Sequence, residues 1–220
     1  MICVMTAMRK EFELFADVVN NVCQKETNLV VGRIGAQNVC VVLSGIGKVN
    51  AALCLCEILR QYKISKVISV GCAGAAQAYL KMGDVVIGNS YTYHDVYCGE
   101  GQYGQVQGMP SVFPSDHVDV ANVISDGELG MIASGDCFVD SREQVESILS
   151  KMPKAYNILA LDMESAALAH VCYKKEIKFV SVRVISDNPL VENQQYQYEN
   201  FWNVLSKKAF LSTIKFLRSL

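Results

Sequence analysis

Short apolar blocks alternate with amphipathic blocks along the whole chain, which is the pattern of an α/β protein. The apolar blocks are rich in β-branched residues and too short for helices, so they predict buried strands, at residues 1–5, 29–34, 38–43, 66–70, 84–89, 131–133, 158–161 and 178–185. The other blocks predict helices, through residues 14 and 15 and at 49–62, 118–124, 141–152, 162–175 and about 201–220. No linker or repeat interrupts the pattern, so we expect one domain over residues 1–220.

Residues 157–189 read as strand, helix and strand, and they carry the strongest functional signal. A crossover of this length predicts that the two strands lie parallel. Glu164 then follows the carboxyl end of one strand and Asp187 that of the other, where ligands bind in open parallel sheets. Each acid alone has a simpler interpretation, since Glu164 could help cap the helix and Asp187 could open a turn. Together, and with Arg183 on the same strand, they favour a functional site.

Composition narrows the classes of function. Hydrophobic residues make up 51% of the chain and the net charge is −2, which favours a compact globule without the basic surface that nucleic acid or an anionic membrane needs. We expect no membrane-spanning segment and no signal peptide. Nine cysteines, mostly within apolar patterns and without a C-x-x-C pair, predict buried free thiols in a reducing, cytoplasmic setting. With three histidines and no metal-type spacing, we expect neither metal nor cofactor.

Three other stretches are candidates for chemistry, each with a simpler alternative. Glu11 lies in the first turn of the first helix, where a lone glutamate is usually an exposed acid. Glycine-rich turns at 44–48 and 71–75 follow predicted strands, but neither matches a phosphate-binding loop or a dinucleotide fingerprint. Cys72 in the second turn could be a nucleophile or simply a small turn residue. Residues 97–114 predict a long loop, which in compact domains is often functional.

Several motifs together resemble the 5′-methylthioadenosine/S-adenosylhomocysteine nucleosidase family of the purine nucleoside phosphorylase superfamily. The motifs span nearly the whole chain and read AMRKE at 7–11, SGIGKV at 44–49, SGDCF at 134–138, DMES at 162–165 and RVISD at 183–187. The resemblance implies a single-domain, three-layer α/β sandwich with a mixed, mostly parallel central sheet flanked by helices. It also implies hydrolysis of an N-glycosidic bond, with release of adenine from a purine nucleoside.

The resemblance assigns the catalytic and sugar-binding roles. Asp187 resembles the general acid that protonates N7 of adenine, and Ser186 the residue that orients it. Glu11 resembles the general base that activates water. Glu164 is similar to the family's ligand for the ribose 2′-hydroxyl, with Met163 beneath the sugar. The chemistry asks for such groups, since an oxocarbenium-like transition state needs an acid at the leaving base and a carboxylate to guide water.

The resemblance also assigns residues around the base and the water. Phe138 is expected to stack on adenine, and the Val139 backbone to read the edge of the base. Arg183 and the turn at Cys72 are expected to help place the water. Further residues that resemble the family's pocket wall are Met8, Ile46 and Tyr198.

Three positions differ from the residues that are usual in the family. Cys72 stands where the family usually has serine, Asp162 where it has glutamate, and Thr6 where it has glycine.

The 97–114 loop resembles the segment that completes the neighbouring subunit's pocket, which implies a homodimer. Its sequence is less typical, so the preferred 5′-substituent stays open.

Four alternatives compete with this interpretation. A phosphorylase of the same superfamily would use phosphate and need cations such as Arg9 and Arg183 near the sugar. A related hydrolase would act on another nucleoside, such as futalosine or AMP. A non-catalytic nucleoside-binding protein would keep Phe138 and Glu164 but need neither Glu11 nor Asp187. A cysteine-dependent hydrolase would be centred on Cys72.

Overall fold

Ten strands form one sheet in the computed structural model, which describes residues 1–191, 194–202 and 210–219. The strands are β1 (Ile2–Thr6), β2 (Asn20–Glu26), β3 (Leu29–Ile34), β4 (Gln37–Leu43), β5 (Lys66–Ala75), β6 (Val85–Tyr93), β7 (Phe113–Pro114), β8 (Glu128–Ser134), β9 (Ile158–Asp162) and β10 (Lys178–Asp187). Their order is β10-β6-β8-β9-β5-β1-β4-β3-β2, and β7 pairs with β6. Because β10 also pairs with β5, five of the strands form a closed ring that leaves them no free edge.

Helices cover both faces of this sheet. Those described are α1 (Arg9–Ala16), α2 (Lys48–Gln61), α3 (Val118–Val123), α4 (Arg142–Lys151), α5 (Ser165–Lys175), α6 (Gln194–Asn200) and α7 (Leu211–Ser219). One core packs Leu55 of α2 and Leu168 of α5 against one face. A second core packs Phe15 of α1 and Phe216 of α7, together with Val120 of α3, against the other. The expected single-domain α/β fold with helices on both sides of a mixed sheet is therefore confirmed.

Local sequence signals account for most of these elements. The two predicted strands β3 and β4 form an antiparallel hairpin, and Gly35 between them has a φ of 56° that favours glycine. Ser141 caps α4 as its position predicts, since its hydroxyl accepts a hydrogen bond from the Gln144 backbone N–H. The longest ladders, β5 with β10 and β6 with β8, are parallel, whereas β2, β3 and β4 are antiparallel.

The predicted direction of the two strands around α5 is wrong. The strand β9 runs antiparallel to β5, and β10 runs parallel to β5, so β9 and β10 do not form a parallel crossover pair. Their carboxyl ends still converge, because β9 meets β5 only through Ala160 and Leu161, opposite Ala75 and Gly74. Asp187 at the end of β10 is paired with the same Gly74. The ring of strands therefore brings three carboxyl ends to one place.

Two further predictions about strands need correction. The stretch 71–75, expected to be a glycine turn, continues β5, because β10 and β9 supply its backbone hydrogen bonds. The strand β2 has no counterpart in the prediction, because its residues are mostly polar and exposed at the edge of the sheet.

The remaining elements agree in part with the predictions. Residues 97–114 form a loop apart from the short β7. The predicted C-terminal helix, 201–220, is represented by α7, and positions 203–209 and 220 lie outside the described residues. All nine cysteines are free thiols; Cys3, Cys40 and Cys172 are buried as expected, but Cys56 and Cys137 are exposed. Among the described helices, none has the length and apolar character needed to cross a membrane.

Candidate active site

A cleft opens where β5, β9 and β10 end. Every site residue that the sequence predicted lines this cleft except Arg183. The predicted residues on its wall are Met8, Glu11, Ile46, Cys72, Phe138, Val139, Met163, Glu164, Ser186, Asp187 and Tyr198. They come from seven separate parts of the chain, so the fold gathers distant motifs around one concave surface.

Glu11 is a buried carboxyl group and not the exposed helix acid of the simpler interpretation. Only 2% of its surface is accessible, although it lies in the first turn of α1. Its Oε2 accepts hydrogen bonds from the backbone N–H groups of Ala7 at 3.1 Å and Met8 at 3.0 Å, and its Oε1 accepts one from Cys72 at 3.0 Å. Burial raises the pKa of Glu11, and these N–H groups together with the charge of Arg183 oppose the rise. The result is an oriented carboxyl group with a strengthened affinity for a proton.

Close backbone contact makes room for this carboxyl group. A Cβ atom on Gly71 of β5 would lie 2.8 Å from Oε1 of Glu11. Glycine is therefore required at this position, because any side chain would displace the glutamate.

Asp187 lies at the end of β10, lines the same cleft and is buried. The Ser186 hydroxyl donates a hydrogen bond of 2.6 Å to Oδ1 of Asp187. The other oxygen, Oδ2, is 3.7 Å from where a Cβ atom on Gly74 would lie. A register shift between Ile185 and Asp187 turns the end of the strand. The carboxyl group is thus held by its neighbour on the strand and borders the cleft.

Glu164 borders the cleft between β9 and α5, and it does not cap that helix with its side chain. Its Oε1 instead accepts a hydrogen bond of 2.9 Å from the backbone N–H of Gly47, at the start of α2. The residue that caps α5 is Asp162, whose carboxylate accepts from the Ser165 N–H at 3.2 and 3.3 Å. Burial and the nearby charge of Asp162 raise the pKa of Glu164 to about 8, against the opposing charge of Arg183.

Arg183 lies behind the cleft wall and forms no part of it. It is 2% exposed, and its Nε and Nη2 atoms both lie 2.8 Å from Oδ2 of Asp162. Nη2 also donates to the Ser69 hydroxyl at 2.9 Å. Arg183 therefore acts on Glu11 and Glu164 through its charge, which lowers the pKa of both groups.

Asp162 is a residue of the site to which the sequence interpretation gave no role. It lines the cleft, pairs with Arg183, and accepts hydrogen bonds from the hydroxyls of Ser134 and Ser165. Its position in the DMES motif could have indicated a place in the site, but the motif does not show that Arg183 is its partner. The partner lies 21 residues away on β10, so only the folded chain brings the two together.

The apolar wall of the cleft lies at its mouth. The Phe138 ring is 51% exposed and meets the Tyr198 ring edge to face at 5.5 Å. Ile46 is also half exposed, whereas Val139 is buried. A planar apolar ligand that entered here could contact an aromatic face that water now covers.

Cys72 lines the cleft without the features of a nucleophile. Burial, followed by the charge of Glu11, raises the pKa of its thiol well above the ordinary value, so the thiolate is disfavoured. His94, His117 and His170 are all described, and none of them lines the cleft. A cysteine-dependent hydrolase therefore has no histidine base in this site.

The charge of the cleft is one-sided. The described residues of its wall include the carboxyl groups of Glu11, Asp162, Glu164 and Asp187 but no lysine or arginine. Arg9, a possible phosphate ligand, instead donates to the Thr27 carbonyl at 2.5 Å and to Oδ1 of Asn28 at 2.6 Å. In the described part of the chain, no three His, Cys, Asp or Glu side chains group as metal ligands would.

Comparison with known proteins agrees with this architecture. Residues 1–218 match the family model of the Phosphorylase superfamily. The 5′-methylthioadenosine/S-adenosylhomocysteine nucleosidase of Bacillus thuringiensis (strain Al Hakam) is 38% identical over 202 residues, which cover 84% of this chain and 85% of the relative.

Solved structures of such nucleosidases superimpose over the whole chain. The enzyme from Neisseria meningitidis, in complex with methylthio-immucillin-A, has a TM-score of 0.88 at 32% identity and covers 100% of this chain and 99% of its own. The enzyme from Streptococcus pneumoniae, in complex with 8-aminoadenine, has a TM-score of 0.89 at 29% identity, with coverage of 100% and 99%. The chain therefore belongs to the phosphorylase superfamily and, within it, to the 5′-methylthioadenosine/S-adenosylhomocysteine nucleosidases.

Proposed function

We propose that this protein hydrolyses the N-glycosidic bond of 5′-methylthioadenosine, S-adenosylhomocysteine or both, and releases adenine. Relatives with this name are 38% identical to the chain, and a structural neighbour holds 8-aminoadenine. The cleft offers an aromatic ring for a base and several carboxyl groups for a sugar and a water molecule. No cofactor enters the proposed reaction.

Asp187 is the proposed general acid at the leaving base. Its proton passes to N7 of adenine as the bond between C1′ and N9 breaks, so that the base departs without a negative charge. The Ser186 hydroxyl, 2.6 Å from Oδ1, orients the carboxyl group toward the base. The same carboxyl group can also accept from the exocyclic amino group, which favours a 6-aminopurine.

Glu11 is the proposed general base. Two backbone N–H groups hold one of its oxygens and a third holds the other, so the carboxylate has a defined direction. Water attacks C1′ and gives up its proton to Glu11, whose raised pKa makes it a better base than an exposed glutamate.

Glu164 is the proposed ligand of the ribose 2′-hydroxyl, with Met163 beneath the ring. Breaking the bond leaves positive charge on the sugar, as in other glycoside cleavages. That charge favours the ionised form of a neighbouring carboxyl group, and the pKa of Glu164, about 8, places its ionisation close to neutral pH. The carboxylate in turn stabilises the transition state more than the neutral substrate.

The observation that carries the choice of water over phosphate is the charge of the cleft. Four carboxyl groups border it and, among its described residues, no cation does. Two like charges about 4 Å apart repel by about 4 kcal/mol at an effective dielectric constant of about 20. A phosphate dianion would meet this repulsion without an arginine or lysine on the described cleft wall to bind it, whereas a neutral water molecule would not be repelled.

The test measures adenine release from 5′-methylthioadenosine by the purified protein. We expect the same rate with and without phosphate, with free methylthioribose as the sugar product. Glu11→Gln should abolish release and leave adenine affinity nearly unchanged, because the amide keeps its shape but cannot take a proton. Glu13→Gln, on the exposed face of the same helix, is the matched control and should behave as the wild type. Activity that requires phosphate and yields a sugar 1-phosphate would replace the hydrolase with a phosphorylase.

We further propose that the protein works as a homodimer in the cytoplasm, with the 97–114 loop completing the neighbouring cleft. Apolar side chains are exposed on α2 and on this loop, among them Val49 at 73% and Leu53 at 58% on α2 and Tyr97 at 62% on the loop. Phe113, near the end of this loop, is buried within its own chain. Nine free thiols suit a reducing compartment. Light scattering should give the mass of a dimer, and a fully active monomer would contradict the proposal.

A further inference from the structure

Three charged residues tie together the loops at one side of the cleft. Lys48 begins α2, Asp95 follows β6 and Asp136 follows β8. The Lys48 ammonium group lies 2.8 Å from Oδ1 and 2.7 Å from Oδ2 of Asp95, and 3.8 Å from Oδ2 of Asp136. We call these three residues the rim cluster. None of the roles proposed above uses it.

Backbone hydrogen bonds make the rim cluster more than a pair of surface charges. The Lys48 N–H donates to Oδ1 of Asp136 at 2.7 Å, and the Asp136 N–H donates to Oδ2 of Asp95 at 2.8 Å. The Lys48 ammonium also lies 5.5 Å from the centre of the Tyr93 ring. Hydrogen bonds to ionised groups are stronger than those between neutral groups, and here they connect the backbone and the side chains of the three residues.

Two glycines show how closely these loops approach one another. Gly47 has a φ of 98°, and a Cβ atom there would lie 3.0 Å from Oδ1 of Asp136. A Cβ atom on Gly135 would lie 2.3 Å from Cε1 of His94 and 2.8 Å from Cγ of Asp95. The three loops therefore pack backbone against side chain, and the cluster holds them at that separation.

The loops that the rim cluster joins carry parts of the cleft on both sides. Gly47, next to Lys48, donates the hydrogen bond of 2.9 Å to Oε1 of Glu164. Phe138, two residues after Asp136, supplies the aromatic face at the mouth. A shift of the 44–48 loop relative to the 135–138 loop would move the sugar-binding and base-binding groups apart.

We propose that Lys48 is a positioning residue for nucleoside binding, which acts by fixing the distance between Glu164 and Phe138 through Asp95 and Asp136. This inference rests on the proposed function, because it concerns how that site holds its ligand. It separates binding from proton transfer: the cluster touches neither Glu11 nor Asp187, so its loss should mainly weaken binding and lower kcat only to the small extent that Glu164 shifts.

The test compares Lys48→Met with a variant of a second ion-paired lysine. Lys66→Met breaks a similar ion pair, 2.8 Å from Asp116, at the far end of β5 from the cleft. Both changes remove a charge and keep the apolar stem, so both should lower the melting temperature. Loss of charge-assisted hydrogen bonds predicts that Lys48→Met raises KM for 5′-methylthioadenosine about tenfold and changes kcat less than about threefold. Lys66→Met should leave KM unchanged.

Two more variants keep the test decisive. Lys48→Arg retains the charge, so its KM should lie within about threefold of the wild-type value, because the guanidinium group of arginine can still contact both oxygens of Asp95. Asp95→Asn is milder and replaces Lys48→Met if that variant fails to fold; it should raise KM by about threefold or more. The inference is overturned if KM stays within twofold in the loss-of-charge variant, or if Lys66→Met raises it equally.

Calorimetric binding of adenine separates this inference from the proposed function. If the wild type binds adenine but does not cleave 5′-methylthioadenosine, the proposed function fails, and the order of adenine affinities among the same variants still decides the role of Lys48. If the wild type binds no adenine, both are overturned.

Discussion

The parallel ladder of β5 and β10 has two ends of opposite electrostatic character. At the amino end, Lys66 is paired in register with Lys178, and Asp116 contacts both, at 2.8 and 3.5 Å. At the carboxyl end lie Glu11 and Asp187, with Arg183 behind the cleft wall. The same two strands thus support an ion-pair cluster of two lysines and one aspartate at one end and a surplus of carboxyl groups at the other.

The two ends shift the pKa of carboxyl groups in opposite directions. Partial burial alone would raise the pKa of Asp116, but the hydrogen bond and charge of Lys66, with Lys178, hold it below its ordinary value. Burial raises the pKa of Glu11 and of Glu164 in spite of Arg183. Neighbouring lysines stabilise the ionised form of the carboxyl group at the amino end. At the carboxyl end, a surplus of buried carboxyl groups favours proton exchange. This difference distinguishes a structural cluster from a catalytic one.

The largest expected effect comes from replacing one aspartate by asparagine at each end of the ladder. Asp187→Asn should lower kcat by about 10²–10⁴, as loss of a general acid does, while adenine binding and the melting temperature change little. Asp116→Asn should instead lower the melting temperature and leave kcat unchanged, because it removes the partner of two lysines. Steady-state kinetics and thermal unfolding of both variants decide the matter. Near-normal turnover in Asp187→Asn would disprove the role of the acid.

The second prediction concerns pH and stability. A group whose pKa is higher in the folded than in the unfolded protein destabilises the fold as it ionises. For Glu164 the free energy of unfolding should therefore fall as the pH rises from near its ordinary pKa of 4.5 to about 8. For Asp116 the sign is opposite: its contribution is present above 3.8 and is lost as the pH falls through its lowered pKa.

Urea unfolding across this pH range measures both effects. Glu164→Gln should flatten the fall in stability between mildly acidic and mildly alkaline pH, because the amide does not ionise. Asp116→Asn should keep that fall and reduce only the loss of stability in acid. Identical pH profiles for the wild type and Glu164→Gln would show that Glu164 ionises as an exposed glutamate does.

A smaller effect is expected for aromatic residues at the two ends. Phe138→Ala should raise KM for the nucleoside about tenfold, since stacking on a base contributes about 1–3 kcal/mol. Tyr173→Ala is the matched control, because this half-exposed ring lies beside Asp116 and Lys178. Its KM should match that of the wild type. An unchanged KM in Phe138→Ala would count against stacking.

The smallest effect is expected for the thiol in the cleft. Cys72→Ser should keep kcat within about threefold of the wild type, because the side chain is uncharged and its backbone N–H, not its sulfur, binds Glu11. Cys56→Ser, on the exposed surface of α2, is the control and should have no effect. Loss of activity in Cys72→Ser alone would revive the cysteine-dependent alternative.

Local sequence signals predicted most elements, and the resemblance to the nucleosidase family supplied most residues of the cleft wall. Strand β4 and helix α2 follow from runs of apolar residues and from turns, which depend on neighbours along the chain. The motifs around Phe138 and Asp187 likewise lie at element ends, where polar and glycine residues mark them. Such signals are local, so no knowledge of distant contacts was needed.

The direction of β9 relative to β10, the continuation of β5 through residues 71–75 and the burial of Glu11 were decided only by tertiary structure. Strand direction depends on which distant strand supplies the hydrogen-bond partners, and β5 offers partners to both. The position of Arg183 also depends on a distant contact. The sequence interpretation gave it a part in placing the water, but its ion pair with Asp162 holds it behind the cleft wall. A pKa reflects burial and neighbouring charges in three dimensions, so the sequence names the acids of this site while the fold determines how they ionise.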